Sequence, residues 1–167
     1  QAQMIDASPG AGTERPKISV VMANYNGERF LLDAARSVFN QTVSDLELIV
    51  SDDGSRDAGL ALLKQNFGAE PRLVVLETDV NAGPAAARNR ALRVARGDWI
   101  AVVDSDDMIH PERLERLLAF ALADGADIVA DDLLFFDSDA VARPSTLLTG
   151  RWSRQPWCRR RIRSRPC

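Results

Sequence analysis

Trp99-Ile-Ala-Val-Val-Asp104-Ser105-Asp106-Asp107 decides the fold of this 167-residue chain. A short, almost wholly apolar run has the character of a strand buried on both faces, and it leads straight into three carboxylates within four residues. Like charges so close raise one another's pKa unless a cation sits among them. Oxygen-only ligands suit Mg²⁺ or Mn²⁺, and Mg²⁺ in enzymes is commonly held by one or two carboxylates together with substrate phosphates. Two readings follow: a divalent-metal site for a phosphorylated ligand at the carboxyl end of a strand, or a solvated turn that caps the next helix. The neighbouring segments decide between them.

The same order of apolar strand, polar cluster and helix precedes this stretch three times. Lys17-Ile-Ser-Val-Val-Met-Ala23 is a β-branched run between Pro16 and the turn formers Asn24-Tyr25-Asn26-Gly27. Phe30, Ala34 and Val38, with Leu31, Ala35 and Phe39 beside them, then predict a helix over residues 28–40. Leu46–Ser51 predicts a second strand ending in Asp52-Asp53-Gly54-Ser55, and Leu60, Leu63 and Phe67 mark a second helix. Arg72–Glu77 predicts a third strand, followed by the loop Thr78–Gly83. Pro84 suits the first turn of a third helix, expected to run to about Arg96 with Gly97 at its end. After the fourth strand, residues 99–104, Pro111 opens a helix with Leu114, Leu117, Leu118 and Ala121 on one face; Asp127–Ala130 and Leu133–Phe136 suggest one or two further strands. Strands alternating with helices imply an α/β fold, a mostly parallel sheet with helices on both faces.

Ligands of such sheets bind in the crevice outside the carboxyl ends of the strands. All four polar clusters lie just past a strand end, so they share one edge. A nucleoside diphosphate gives each a task. Asp52, an acceptor when ionised, suits the imide N–H of uracil, against the alternative that it, Asp53 or Ser55 caps the next helix. Arg88 offers a fork of donors to phosphate or base edge, against the alternative of a surface arginine among Arg90, Arg93 and Arg96. Gly83 lets backbone pass close to a ligand or is an ordinary turn glycine. If residues 104–106 are extended, Asp104 and Asp106 face the same side. Asp104 then suits the ribose hydroxyls and Asp106 the metal, which neutralises the diphosphate as a leaving group. Asp107 is read as an outer ligand or a helix N-cap, and His110 as a partly exposed residue at the helix entry, against the alternative that it approaches the metal.

Val20-Val-Met-Ala-Asn-Tyr-Asn26, Ile49-Val-Ser-Asp-Asp-Gly-Ser-Arg-Asp57, Asn81-Ala-Gly-Pro-Ala-Ala-Ala-Arg-Asn89 and Val103-Asp-Ser-Asp-Asp107 resemble, in order and spacing, the successive motifs of family 2 glycosyltransferases. The resemblance covers about residues 17–136 and implies the Rossmann-like GT-A fold. It also implies an inverting transfer of sugar from a nucleotide donor, usually a UDP-sugar, with Mn²⁺ or Mg²⁺ at the Asp-x-Asp motif. By the same resemblance the nucleotide is met by Ala23, Asn24, Tyr25, Asp52, Arg88 and Asp104, and Asp106 carries the metal. The first motif departs from the family, which usually has proline where this chain has Ala23. Family members take their catalytic base from an acidic residue well downstream of Asp-x-Asp. Asp131, Asp132, Asp137 and Asp139 come too early for that role, so no base is assigned and the domain is expected to be truncated at its C-terminus.

Charge divides the chain. All 24 acidic residues lie within residues 1–150 beside 14 Lys and Arg, a net −10. Residues 151–167 hold the other seven basic residues, all Arg, and no acid. Three segments are therefore expected: a flexible arm over residues 1–16, a nucleotide-sugar-binding domain over residues 17–150, and a disordered basic tail over residues 151–167. The acidic body argues against nucleic acid as partner, while the tail reads either as the product of a truncation or reading-frame change or as a basic surface for peripheral contact with anionic lipid or phosphate. The two cysteines, Cys158 and Cys167, make neither a zinc pattern nor a disulfide framework. No apolar run approaches the ~20 residues that span a bilayer, and the first 16 residues lack the pattern of a signal peptide. The resulting expectation is a glycosyltransferase working on a saccharide or lipid-linked acceptor at the cytoplasmic face of a membrane. Its rivals are a nucleotide-sugar- and metal-binding fragment that transfers nothing, and a nucleotidyltransferase; against the latter, no glycine-rich loop with a lysine follows the first strand.

Overall fold

The computed structural model describes residues 15–131 and the backbone of residues 134–135 and 145–146. Residues 1–14 of the arm and the basic tail with its two cysteines lie outside these residues, as do Asp132, Asp137 and Asp139; Pro16, which the arm reading included, is buried and its carbonyl accepts the Asp98 N–H (3.3 Å). Two compact units are present, residues 1–115 and residues 116–167.

In the first unit, strands β1 (Ile18–Asn24), β2 (Leu46–Asp52), β3 (Leu73–Leu76) and β4 (Trp99–Val102) alternate with helices α1 (Leu31–Phe39), α2 (Gly59–Phe67) and α3 (Pro84–Leu92). All pairings are parallel, in the order β3-β2-β1-β4. Crossovers β1-α1-β2 and β2-α2-β3 step in one direction, whereas β3-α3-β4 steps back past β1 to the other side. Right-handed crossovers therefore place α1 and α2 on one face and α3 on the other. Val21, Ile49 and Ala91 form a buried cluster on the α3 face, joined by Val74, Leu76 and Ala95. The alternate residues Val20, Met22, Leu48 and Val50 are equally buried on the opposite face, and the rings of Phe39 and Phe67 meet 5.0 Å apart between α1 and α2. The chain reverses its direction of winding between β1 and β4, which opens the ligand crevice beyond the carboxyl ends of those two strands.

Several sequence expectations change. The 99–103 stretch does not become a strand buried on both faces: Ile100 and Val102 are 44% and 53% exposed. Among the described residues β4 pairs only with β1, and α3 lies over β1 and β2. Helix α1 begins at Leu31 because the backbone N–H groups of Phe30 and Leu31 turn back onto the carbonyl of Gly27. Helix α3 stops at Leu92 and not near Arg96; the Arg93, Val94 and Ala95 N–H groups still turn back to Asn89 and Ala91, after which the donors leave for buried groups of the sheet. The Arg96 N–H donates to Glu47 Oε1 (2.8 Å) and the Gly97 N–H to Ser19 Oγ (2.7 Å). Helix α4 (Arg113–Asp124) carries the expected leucine face into the second unit, where β5 (Leu134–Phe135) and β6 (Ser145–Thr146) pair antiparallel. Asp127–Ala130 is not a strand; Ile128 is exposed and no described neighbour offers it a ladder. No helix among the described residues is long and apolar enough to cross a membrane.

Candidate functional site

The loops after β1 and β2 are stitched together at one end of the crevice. Asn24, the last residue of β1, is buried and donates from Nδ2 to Asp52 Oδ1 (2.7 Å) and Ser55 Oγ (3.3 Å). Ser55 donates its hydroxyl to Asp52 Oδ1 (2.6 Å) and its N–H to Asp52 Oδ2 (2.9 Å). Asn26, in the left-handed region at φ 50°, donates its N–H to Ser55 Oγ (2.8 Å) and accepts the Arg56 N–H at Oδ1 (2.9 Å). Gly27 follows because nothing larger fits: a Cβ there would lie 2.2 Å from Asn24 Oδ1. That oxygen is buried and has no hydrogen-bond partner. Neither Asp52, Asp53 nor Ser55 caps α2. The helix starts at Gly59, where Asp57 Oδ1 accepts the Gly59 N–H (3.1 Å) and Glu28 Oε2 the Ala58 N–H (3.2 Å).

Asp53 organises the third loop. Its Oδ2 accepts the N–H groups of Ala82 (2.8 Å) and Gly83 (2.7 Å), and its Oδ1 accepts Arg90 Nη2 (3.0 Å). Burial pushes the carboxyl pKa up, but the Arg90 guanidinium and the two amides outweigh it and hold the group below the usual range. Gly83 is needed for its backbone: φ is 90°, a conformation closed to L side chains, whereas a Cβ would meet nothing within 4 Å. The Ala82 and Gly83 N–H groups, just before the first turn of α3, are taken by Asp53.

At the other end of the crevice Arg88 Nη2 pairs with Asp104 Oδ1 (2.5 Å), and Arg88 Nε is buried without a partner. Residues 104–107 are not extended. The Asp107 N–H returns to the Asp104 carbonyl (3.1 Å), a turn with Ser105 and Asp106 at its corners, a geometry in which Asp is favoured at the first position. The alternation that would put Asp104 and Asp106 on one side is thus absent. Asp106 is exposed, and Asp107 lies too far before Arg113 to cap α4. The Asp107 carboxyl is pushed up in pKa by partial desolvation and by the charges of Asp106 and Asp104, with Arg113 opposing. Among the described residues no three His, Cys, Asp or Glu side chains cluster to hold a metal by themselves. A few hard, mutually repelling oxygens instead fit a divalent cation completed by a ligand's phosphates.

The segment after the acidic turn, residues 109–115, is held from α1 and the loop that follows it, through residues the sequence pattern did not single out. Gln41 is buried; its Nε2 donates to the carbonyls of Ser37 (3.1 Å) and His110 (2.8 Å), and its Oε1 accepts the Leu114 N–H (3.0 Å). Ser37 Oγ accepts the Ile109 N–H (3.2 Å), and Thr42 donates to Glu115 Oε2 (2.7 Å). His110 is exposed, as expected of a helix-entry residue, and its Nδ1 accepts the Glu112 N–H (3.3 Å).

Among the predicted site residues, the structure joins Asn24 to Asp52 and Arg88 to Asp104, and ties Gly83 to Asp53. Ala23 is half-buried at the end of β1, while Tyr25 (52% exposed) and Asp106 face solvent. Asp53 and Arg90 were missed as site-builders. A signal was present for Arg90: it falls three residues after Ala87 and one before Ala91, the two buried residues of α3, and so belongs to the sheet-facing side.

Comparison with known proteins adds an independent line. The profile of Glycosyl transferase family 2 matches residues 19–166. The succinoglycan biosynthesis protein ExoO of Rhizobium meliloti is 40% identical over 126 residues, covering 75% of this chain and 36% of that protein. Among solved structures, S. aureus TarS 1–349 in complex with UDP-GlcNAc superposes with a TM-score of 0.62 and 32% identity, over 66% of this chain and 32% of that one. The mannosyltransferase PcManGT from Pyrobaculum calidifontis, in complex with GDP-Man and Mn²⁺, has a TM-score of 0.59 at 24% identity, over 65% of this chain and 33% of that one, a likeness of fold. The chain spans about a third of the length of these proteins.

Proposed function

The chain belongs to glycosyltransferase family 2, and on that premise we propose that it forms the donor-binding part of an inverting glycosyltransferase using a UDP-sugar. The observation that carries the reading is the placement of Asn24–Asp52 and Arg88–Asp104 on either side of the switch point at one sheet edge. Asp52, anchored by Asn24 and Ser55, accepts the imide N–H of uracil, and exposed Tyr25 offers its ring to the base. Asp104 takes the ribose hydroxyls, and Arg88 stands beside it to meet phosphate or base edge. Asp106, with Asp104 close in sequence, would hold Mn²⁺ or Mg²⁺, which supplies positive charge to the diphosphate leaving group when bound. The acceptor belongs to a polysaccharide or a lipid-linked saccharide, a reading supported by the description of ExoO. Work at the cytoplasmic face of a membrane, with the Arg-rich tail touching anionic lipid, belongs to the same proposal.

Thermal unfolding with UDP, GDP and their sugar conjugates, each with and without Mn²⁺, tests it. A ligand at a hundred times its Kd adds about 2.7 kcal/mol to stability. UDP compounds are expected to raise the melting temperature, and more so with Mn²⁺; no shift with any nucleotide overturns the reading.

A further inference from the structure

Arg88 and Arg90 stand two residues apart on α3, about 200° around the helix, so they reach in different directions. Arg88 reaches the end of β4, where it pairs with Asp104. Arg90 reaches the end of β2, where Nε donates to Ser51 Oγ (3.1 Å) and Nη2 to the Asp52 carbonyl and Asp53 Oδ1 (both 3.0 Å). Asp53 in turn holds the Ala82 and Gly83 amides. Helix α3 is therefore pinned on both sides of the crevice, above the sheet face it covers.

We infer that Arg90 and Asp53 are positioning residues that set the separation between the two arms of the donor cleft, Asp52 on one side and the Arg88–Asp104 pair on the other. The inference rests on the donor-binding reading above. Neither residue is placed to act on a ligand directly. Asp53 commits its oxygens to three donors from α3 and its entry loop, and the Arg90 guanidinium is spread over three acceptors belonging to three consecutive residues, so both join the frame; Asp52, equally buried, takes its three donors from Asn24 and Ser55 alone. What they fix is the backbone carrying Asp52 and the first turn of the helix carrying Arg88. Only a planar fork serves the three acceptors at once; the ammonium of lysine keeps the charge but not the geometry. Displacements of about 1 Å in such a frame cost binding and rate up to about a hundredfold.

The test uses the 167-residue chain and reads Kd for uridine and for UDP, with and without Mn²⁺, alongside far-ultraviolet circular dichroism and melting temperature. Arg90→Lys is expected to keep the helical signal and to weaken uridine and UDP by the same factor, about tenfold or more. The ratio of UDP Kd values with and without Mn²⁺ stays at the wild-type value, because Asp106 lies on the other arm. Ser51→Ala, which removes one of the three acceptors, shows the same pattern on a smaller scale and guards against a folding defect in Arg90→Lys. Wild-type Kd values in both variants, with only the melting temperature lowered, overturn the inference and leave the donor reading standing. Collapse of the Mn²⁺ ratio together with affinity also overturns it, since the damage is then general. If the wild-type chain itself binds neither ligand, the donor reading fails and this inference falls with it.

Discussion

Asp106 occupies the corner of an exposed turn, where substitution costs the fold little, typically within about 0.5 kcal/mol. Asp106→Ala is therefore expected to melt with the wild type while Mn²⁺ no longer strengthens UDP binding. Titrating UDP by calorimetry with and without the metal reads this, and wild-type Mn²⁺ dependence in the variant would move the metal to other ligands. Gly27 is the opposite case. Its missing side chain makes room for Asn24 Oδ1, which a Cβ would approach to 2.2 Å against the backbone turn that starts α1. Gly27→Ala should destabilise by about 1–3 kcal/mol, read from urea denaturation, and should disturb the Asn24–Asp52 bond as well. An unchanged urea midpoint would mean that the turn relaxes without loss.

Elements are joined here by buried charge, and the clearest join lies at the sheet edge opposite the crevice. Glu47 in β2 is almost wholly buried. It accepts Ser19 Oγ (2.6 Å) and the Arg96 N–H (2.8 Å), and pairs with the Arg96 guanidinium (2.8 Å), so that β1, β2 and the end of the α3 segment meet on one carboxylate. Half of the Arg96 side chain is exposed, which weakens the ionic part; Glu47→Ala should still cost about 2–3 kcal/mol, mainly from the stranded donors. Burial raises the Glu47 pKa, but the hydroxyl, amide and guanidinium donors outweigh it, so the folded value lies below the unfolded one. The same holds for Asp53. Their stabilisation is fully present above the unfolded values of about 4.3 and 3.9 and is lost as pH falls through the depressed folded values. Asp107, raised by partial desolvation and then by the charges of Asp106 and Asp104, acts with the opposite sign: its contribution favours the folded state at low pH and fades as pH rises through its folded value. Glu47→Gln should therefore lose less stability than the wild type between about pH 4.5 and pH 3, in denaturant midpoints measured across that range. Equal losses in the two proteins would remove Glu47 from the acid limb.

At the scale of the whole sheet, the order β3-β2-β1-β4 brings four loops to one edge and leaves Glu47, Arg96 and Gly97 at the other. Binding of UDP with Mn²⁺ should slow amide hydrogen exchange in residues 24–28, 52–56, 82–83 and 104–107 and leave the Gly97 amide unchanged. Protection confined to the opposite edge would place the ligand elsewhere. The alternation of strand and helix and the common edge of the polar clusters were legible in the chain because both are written in local periodicity and in turn residues such as Gly83-Pro84. Asp52, Arg88 and Asp104 were legible too, as polar residues at that edge. The early end of α3 was not, because the acceptors that draw the chain away from the helix, Glu47 for Arg96 and Ser19 for Gly97, lie 49 and 78 residues from their donors. Nor were the exposed flank of β4 and the work of Gln41, Asp53 and Arg90, since each depends on which strand or loop became a neighbour. Read alone, the chain specifies a parallel α/β sheet with a polar, acidic edge, because hydrophobic period and turn chemistry are properties of adjacent residues. Tertiary structure decided that Asp53 braces the third loop and that Arg88 and Arg90 reach opposite arms. Those assignments follow from hydrogen bonds between residues far apart in the chain, and local pattern carries no record of them.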